Sequence, residues 1–316
     1  MTGPEPASCC AYSPGVSGPR VSPWSEVPGQ LSEGPRWHEE RSELLWVDII
    51  GSKFHRASLG PEDELIELAT VVIDRHVGAV APVHGGGYVL AAGTGFLFVD
   101  ETGHVHDLAQ PVSGRTDIRM NDGACDLLGR FWAGSMAYDE SPGMGTLYRL
   151  ELDGTCAVVM DGLTISNGIG WSPDWSIMFL ADSGSKSIEA FDFDLESGEL
   201  TNPRTIVHLE EPGIAPDGLT VDDEGGIWVA IWGAGVINRY DADGTLLLTI
   251  QLPVDYPTSC AFAGRDLKTL FVTTARSQSG DASGDCQPDA GRVFRIDGLP
   301  FRGVPCLPYR GNVNTR

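Results

Sequence analysis

The apolar residues of this chain fall in short runs separated by glycine-containing turns, the pattern of strands rather than of helices. One series of runs is Lys53–Ser58, Gly95–Asp100, Thr146–Leu152, Ser187–Asp194, Val236–Asp241 and Arg292–Ile296. Each runs into a turn: Leu59-Gly60, Thr102-Gly103, Asp153-Gly154, Ser197-Gly198, Asp243-Gly244 and Asp297-Gly298. Successive turn glycines are 43, 51, 44, 46 and 54 residues apart, near the ~40–50-residue period of propeller blades. A second series keeps the same phase: Leu44–Ile49, Tyr88–Ala92, Arg130–Met136, Ile177–Asp182, Ile227–Trp232 and Leu270–Thr274. Its β-branched and aromatic residues suit buried strands. A shorter apolar segment lies ahead of each, and outer strands are expected after the turns, for example Thr205–Leu209 and Leu246–Leu252. Only Glu62–Arg75 approaches a helical spacing, and its Thr70-Val71-Val72-Ile73 reads as a strand. Six units of about four strands predict an all-β, six-bladed β-propeller. Val21–Gln30 precedes the first unit and is expected to supply the outer strand of the last blade, because closing the ring removes sheet edges.

This architecture gives three dipeptides a common address. Glu33-Gly34, Asn167-Gly168 and Asp217-Gly218 each open an inner strand, and Asp122-Gly123 shares the position. An isolated Asp-Gly or Asn-Gly is a common turn; the phase of the repeat is what places these at one mouth of the central channel. Arg119 and Asn121 lie just upstream of Asp122. Glu33, Asn167 and Asp217 are two carboxylates and an amide, hard donors that favour Ca²⁺, Mg²⁺ or Mn²⁺ and that Zn²⁺ also accepts. A divalent metal held by only three protein ligands keeps open positions for water or substrate. In antiparallel blades the turn after the second strand reaches the same mouth. The cavity walls are therefore expected from Ala137–Gly143, Ser183–Lys186, Gly233–Ala234 and Arg276–Ala290, with Trp232 at the mouth as well. The seven histidines are expected in strands or outer turns, away from the mouth. No Gly-x-Ser-x-Gly signals a serine nucleophile. Gly85-Gly86-Gly87 is read as a turn, since no helix follows it.

Composition narrows the function classes. The 316 residues carry 44 Asp and Glu against 21 Lys and Arg, a net charge of −23, which argues against nucleic-acid binding. No apolar run reaches the ~18–20 residues of a membrane span. The seven cysteines are irregularly spaced without a zinc pattern, as in a protein with reduced thiols. Residues 1–20 are rich in Gly, Pro and Ser and lack the features of a signal peptide. They are expected to form a disordered tail before a single domain over residues 21–311, with a C-terminal tail at 312–316 and a cytoplasmic location.

Five strings together resemble the SMP-30/gluconolactonase family, also called the regucalcin family. They are Ser32-Glu33-Gly34-Pro35, Arg119-Met120-Asn121-Asp122-Gly123, the run from Gly129 to Met136, Ile165-Ser166-Asn167-Gly168, and Pro216-Asp217-Gly218-Leu219. The resemblance spans about Glu26 to Gly311. It implies one divalent ion (Ca, Zn, Mg, Mn or Fe) held by Glu33, Asn167 and Asp217, with Arg119 and Asn121 binding substrate oxygens. A family acidic position falls near Asp139, where animal members carry Glu, and the resemblance implies Asp139 as a further substrate-binding residue that contacts the sugar. The implied reaction is hydrolysis of a sugar lactone to the aldonic acid, with Asp217 assisting water attack and no nucleic-acid or membrane partner. The alternatives are a phosphotriesterase-type hydrolase on the same scaffold and a non-enzymatic metal- or ligand-binding propeller.

Overall fold

The computed structural model describes residues 18–61, 63–276 and 287–313. They form six four-stranded antiparallel sheets. Blade 1 is Ser32–His38, Glu43–Asp48, Lys53–Leu59 and Leu65–Val72; blade 2 is Val77–Pro82, Tyr88–Ala92, Gly95–Val99 and Val105–Ala109. Blade 3 is Ile118–Cys125, Phe131–Ala137, Gly145–Leu150 and Cys156–Leu163; blade 4 is Ser166–Trp171, Ile177–Asp182, Ser187–Asp194 and Glu199–His208. Blade 5 is Ala215–Val221, Ile227–Trp232, Val236–Tyr240 and Leu246–Gln251. Blade 6 takes Pro257–Ala263, Thr269–Thr274 and Phe294–Asp297 and is completed by Arg20–Pro23. The inner strands touch their neighbours all the way round. The chain is a six-bladed β-propeller.

The closing strand pairs Arg20 with Asp297 and Pro23 with Phe294. It starts at the last residue of the expected tail. At the other end, Asn312 donates its backbone N–H to Leu152 O at 2.7 Å and Val313 packs on the apolar cluster of blades 2 and 3, so both belong to the folded body. The outer strand of blade 4 begins six residues before the expected Thr205. One 3₁₀ turn, Glu39–Arg41, is the only helical segment among the described residues. Among the described residues no helix is long and apolar enough to cross a membrane.

The core lies between blades, where second and third strands present faces that are covered on both sides. Trp46, Trp132 and Trp228 are fully buried. Two of them sit in a repeated polar latch. In blade 5, Asp222 accepts from Gly226 N (2.7 Å), Trp228 Nε1 (2.8 Å) and Arg239 Nε (2.7 Å). In blade 3, Asp126 accepts from Arg130 N (3.0 Å), Arg130 Nε (2.6 Å) and Trp132 Nε1 (2.8 Å). Each Asp precedes its Trp by six residues and closes the turn between the first two strands. The carboxylate satisfies an indole and a guanidinium that are both out of water, so removing it strands a buried charge.

Asp222→Ala should therefore lower unfolding stability by about 3–5 kcal/mol. A urea unfolding curve with unchanged slope and a lower midpoint would show it, and Asp126→Ala should behave alike.

Candidate metal centre and its cavity

In all six blades the pairing of the first strand with the second slips near the channel mouth, between Glu33 and Arg36, Val77 and Ala79, Met120 and Gly123, Ser166 and Ile169, Pro216 and Leu219, and Pro257 and Ser259. Such bulges bend a strand and re-aim its side chains. They turn Glu33, Asn121, Asp122, Asn167 and Asp217 onto the channel, where all are buried. At Gly168 a glycine is needed because neighbouring inner strands meet there backbone to backbone. A Cβ on Gly168 would lie 2.5 Å from Leu219 N and 2.6 Å from Asp217 O of the next blade. Gly34 adopts φ +53, the left-handed region that favours glycine.

Two aspartates outside the channel hold the entry segments. Asp48 Oδ1 accepts from the backbone N–H of Gln30, Leu31 and Gly51, each at 3.1 Å. Asp182 does the same in blade 4, accepting from Thr164 N (3.0 Å), Ile165 N (2.9 Å) and Gly184 N (3.0 Å). The chain therefore arrives at Glu33 and Asn167 on a fixed path.

Glu33, Asn167 and Asp217 come together at the floor of a cavity of about 590 Å³. Glu33 Oε2 accepts from Gly34 N at 2.6 Å. Asn167 donates its amide N–H to Ser183 Oγ at 3.0 Å, and Ser183 in turn donates to Pro216 O at 2.7 Å. Ser183 thereby fixes which end of the amide faces the centre. Asn167 Oδ1 and Asp217 Oδ1 are buried and have no hydrogen-bond partner. Buried oxygens without partners are costly, and two of them beside a second carboxylate fit a bound cation. Among the described residues there is no cluster of three His, Cys, Asp or Glu able to hold a metal; the donor set here counts an amide as its third member.

Arg119 and Asn121 share the same cavity. Arg119 Nη1 donates to Asn121 Oδ1 at 2.6 Å, and Asn121 Nδ2 donates to Ser166 O at 2.9 Å. Asp122 faces the channel interior, where Arg36 Nη2 donates to its Oδ1 at 3.2 Å and to Gly123 O at 2.8 Å. The acidic turn of blade 3 presents a different residue from the one expected. Asp139 is exposed and accepts from Ser141 N at 3.1 Å, whereas Glu140, at φ +58, lines the cavity. Of the expected walls, Pro142, Ser183, Gly184, Lys186 and Trp232 line it, and Gly233 and Ala234 do not. Within the Arg276–Ala290 stretch, 277–286 lie outside the described residues. His76 is nearer the mouth than expected. Its Nδ1 lies 3.2 Å from Tyr138 Oη, and burial, with Arg119 nearby, pulls its pKa down. It stands just before the inner strand of blade 2, a placement that counting positions within the repeat would have revealed.

Burial pushes Glu33 well above the usual carboxylate range, and the charges of Asp217 and Asp122 push it further. Burial and Asp122 push Asp217 up as well, partly offset by hydrogen bonds from Glu33 and Asn167. Burial also raises Asp122, against the opposing effect of Arg36. A raised native pKa means that the folded metal-free chain keeps protons which the unfolded chain has released above about pH 4. The associated stability is full below that unfolded value and is lost as pH rises through the native one. Asp217→Asn carries no such penalty. Melting of metal-free protein should show the variant gaining on the wild type between about pH 5 and pH 8, by a few °C at the upper end. A constant difference across that range would contradict the charge account.

The model of the SMP-30/gluconolactonase/LRE-like region matches residues 31–276. Regucalcin of Danio rerio is 36% identical over 285 residues, covering 89% of this chain and 95% of the relative. The putative sugar lactone lactonase YvrE of Bacillus subtilis (strain 168) is 33% identical over 285 residues, covering 90% of this chain and 96% of the relative. Among solved structures, the calcium-binding protein regucalcin from Agrobacterium tumefaciens is 26% identical with a TM-score of 0.86, over 93% of this chain and 98% of that one. With matches running along nearly its whole folded length, the chain belongs to the SMP-30/gluconolactonase/LRE-like family.

Proposed function

We propose that the protein hydrolyses a sugar lactone to the aldonic acid with the help of one divalent metal ion. The observation that carries this reading is the pair of buried, unpartnered oxygens, Asn167 Oδ1 and Asp217 Oδ1, beside Glu33 at the floor of an open cavity. Membership of a gluconolactonase family and the sugar-lactonase name of a relative support the substrate class.

Glu33, Asn167 and Asp217 would hold the ion. Bound there, a divalent cation supplies Lewis acidity to a lactone carbonyl and charge to stabilise the tetrahedral oxyanion. The residues do the rest. Asp217 accepts a proton from water as its oxygen bonds to the carbonyl carbon, then returns that proton to the ring oxygen as the ring C–O bond breaks. Arg119 and Asn121 bind ring oxygens and set the orientation of the carbonyl. Glu140, on the cavity wall, takes the hydroxyl-binding role expected of Asp139. Ser183 keeps the Asn167 amide turned the right way. The four described cysteines other than those outside the described residues are free thiols, Cys125, Cys156, Cys260 and Cys306, which fits a reducing compartment such as the cytoplasm.

The test is a lactone panel on metal-stripped protein, with Ca²⁺, Mg²⁺, Mn²⁺, Zn²⁺ and Fe²⁺ added back singly. Turnover is expected only with metal. Glu33→Ala and Asp217→Asn should each lower kcat by roughly 10²-fold or more. Arg119→Ala should act mainly on KM, by about tenfold. No lactone turnover with any metal would overturn the reading, and turnover of an organophosphate triester in its place would make the protein a phosphotriesterase. Separately, Ser183→Ala frees the Asn167 amide to rotate, so the metal concentration needed for half-maximal activity should rise about tenfold or more; an unchanged titration would remove Ser183 from the site.

A further inference from the structure

The cavity above the proposed metal centre has two unlike sides. Blades 3 and 4 supply a mixed arc in which Met136 and Ile165 are interspersed with Arg119, Asn121, Glu140 and Lys186. Blades 5, 6 and 1 supply the other arc. Apart from the floor carboxylates Asp217 and Glu33, its side chains among the described residues are Ile214, Ala215, Trp232, Tyr256, Leu31 and Ile49. Among the described residues no other charged group stands on that wall. Trp232 and Tyr256 pair with ring centroids 4.7 Å apart at 45°, and both rest against the apolar cluster that includes Leu31 and Ile49. Leu31 and Ile49 are buried, and Ile214, Ala215, Trp232 and Tyr256 form a half-buried rim held in shape by the core behind it.

Size points the same way. The cavity measures about 590 Å³, within the ~300–1,000 Å³ range that accommodates drug-sized ligands, whereas a hexonolactone has only about a dozen non-hydrogen atoms. A lactone ring seated over Glu33, Asn167 and Asp217 and hydrogen-bonded to Arg119 and Asn121 leaves the opposite side empty. Covering a half-buried apolar rim with an apolar group is favourable.

We propose that the substrate is a hydroxylated lactone carrying an apolar substituent of about one ring's size, which lies against Trp232, Tyr256 and Ile214 while the lactone occupies the metal side. This inference rests on the lactonase reading and adds the substrate class to it. A second sugar in the same place would bring hydroxyls to a wall with almost no partners for them, and desolvating unpaired hydroxyls is unfavourable.

The experiment measures kcat/KM of the full-length, metal-loaded protein on gluconolactone, an O-benzyl gluconolactone and a disaccharide aldonolactone. The benzyl compound should be preferred over the parent by about tenfold, with no gain for the disaccharide. That preference ratio should fall to near one in Trp232→Ala and in Ile214→Ser, each checked by its melting curve. A benzyl compound turned over no better than the parent, or a preference that survives both substitutions, overturns the proposal while leaving lactonase activity in place. Failure of all three lactones overturns the lactonase reading itself.

Discussion

Three carboxylates and two guanidiniums are buried at the channel of this propeller, and the charge does not balance. Arg36 answers Asp122. Glu33 and Asp217 are left side by side, with burial opposing the ionisation of both, the charges of Asp217 and Asp122 pressing on Glu33 and that of Asp122 on Asp217. They cannot move apart, because each rides on an inner strand of a different blade and those strands are wedged against their neighbours on both sides. Only protons or a cation relieve that arrangement. The bulges at the mouth, the glycines that let inner strands touch, and the Asp48 and Asp182 clamps on the entry segments all serve to keep it in place.

The chemistry and the choice of substrate are carried by different parts of the molecule. The oxygen donors sit at the starts of buried strands, where packing fixes them. Most of the cavity wall comes from strand ends and the turns between strands, which tolerate change without disturbing the ring. Substitutions at Ile214, Trp232 or Glu140 therefore alter what fits above the floor and leave the floor itself as it was. Family membership therefore bears more on the floor than on the walls.

Much of this was legible in the chain itself, because a repeat reports its own geometry. Turn glycines and aromatic strand runs recur in phase, and four strand segments (Tyr88–Ala92, Ile177–Asp182, Ser187–Asp194 and Ile227–Trp232) run just where their apolar residues indicate. The outer strand of blade 4 was less readable. Most of Glu199–His208 is exposed, so no alternation of apolar and polar residues marks its start. Glu140 was expected only as part of the Ala137–Gly143 wall and not as its acidic contact, because the left-handed backbone at this position is not legible in the sequence. The Asp126–Trp132 and Asp222–Trp228 latches were visible as a repeated spacing, but their meaning depends on arginines, one of which, Arg239, comes from a strand further along the blade.

The strand that completes the last blade has a consequence for how the protein is made. Arg20 and Asp297 pair across 277 residues. At about 5–20 residues per second, translation separates them by roughly 15–55 s. Blades 1 to 5 can each collapse locally as they emerge, yet blade 6 cannot finish until nearly the whole chain has been synthesised. Throughout that interval the first strand waits unpaired, and once its partner appears the sheet edge it covers is open to any competing strand nearby. The ring is therefore most vulnerable to domain swapping until Phe294–Asp297 has emerged, while the two halves of one sheet have yet to meet.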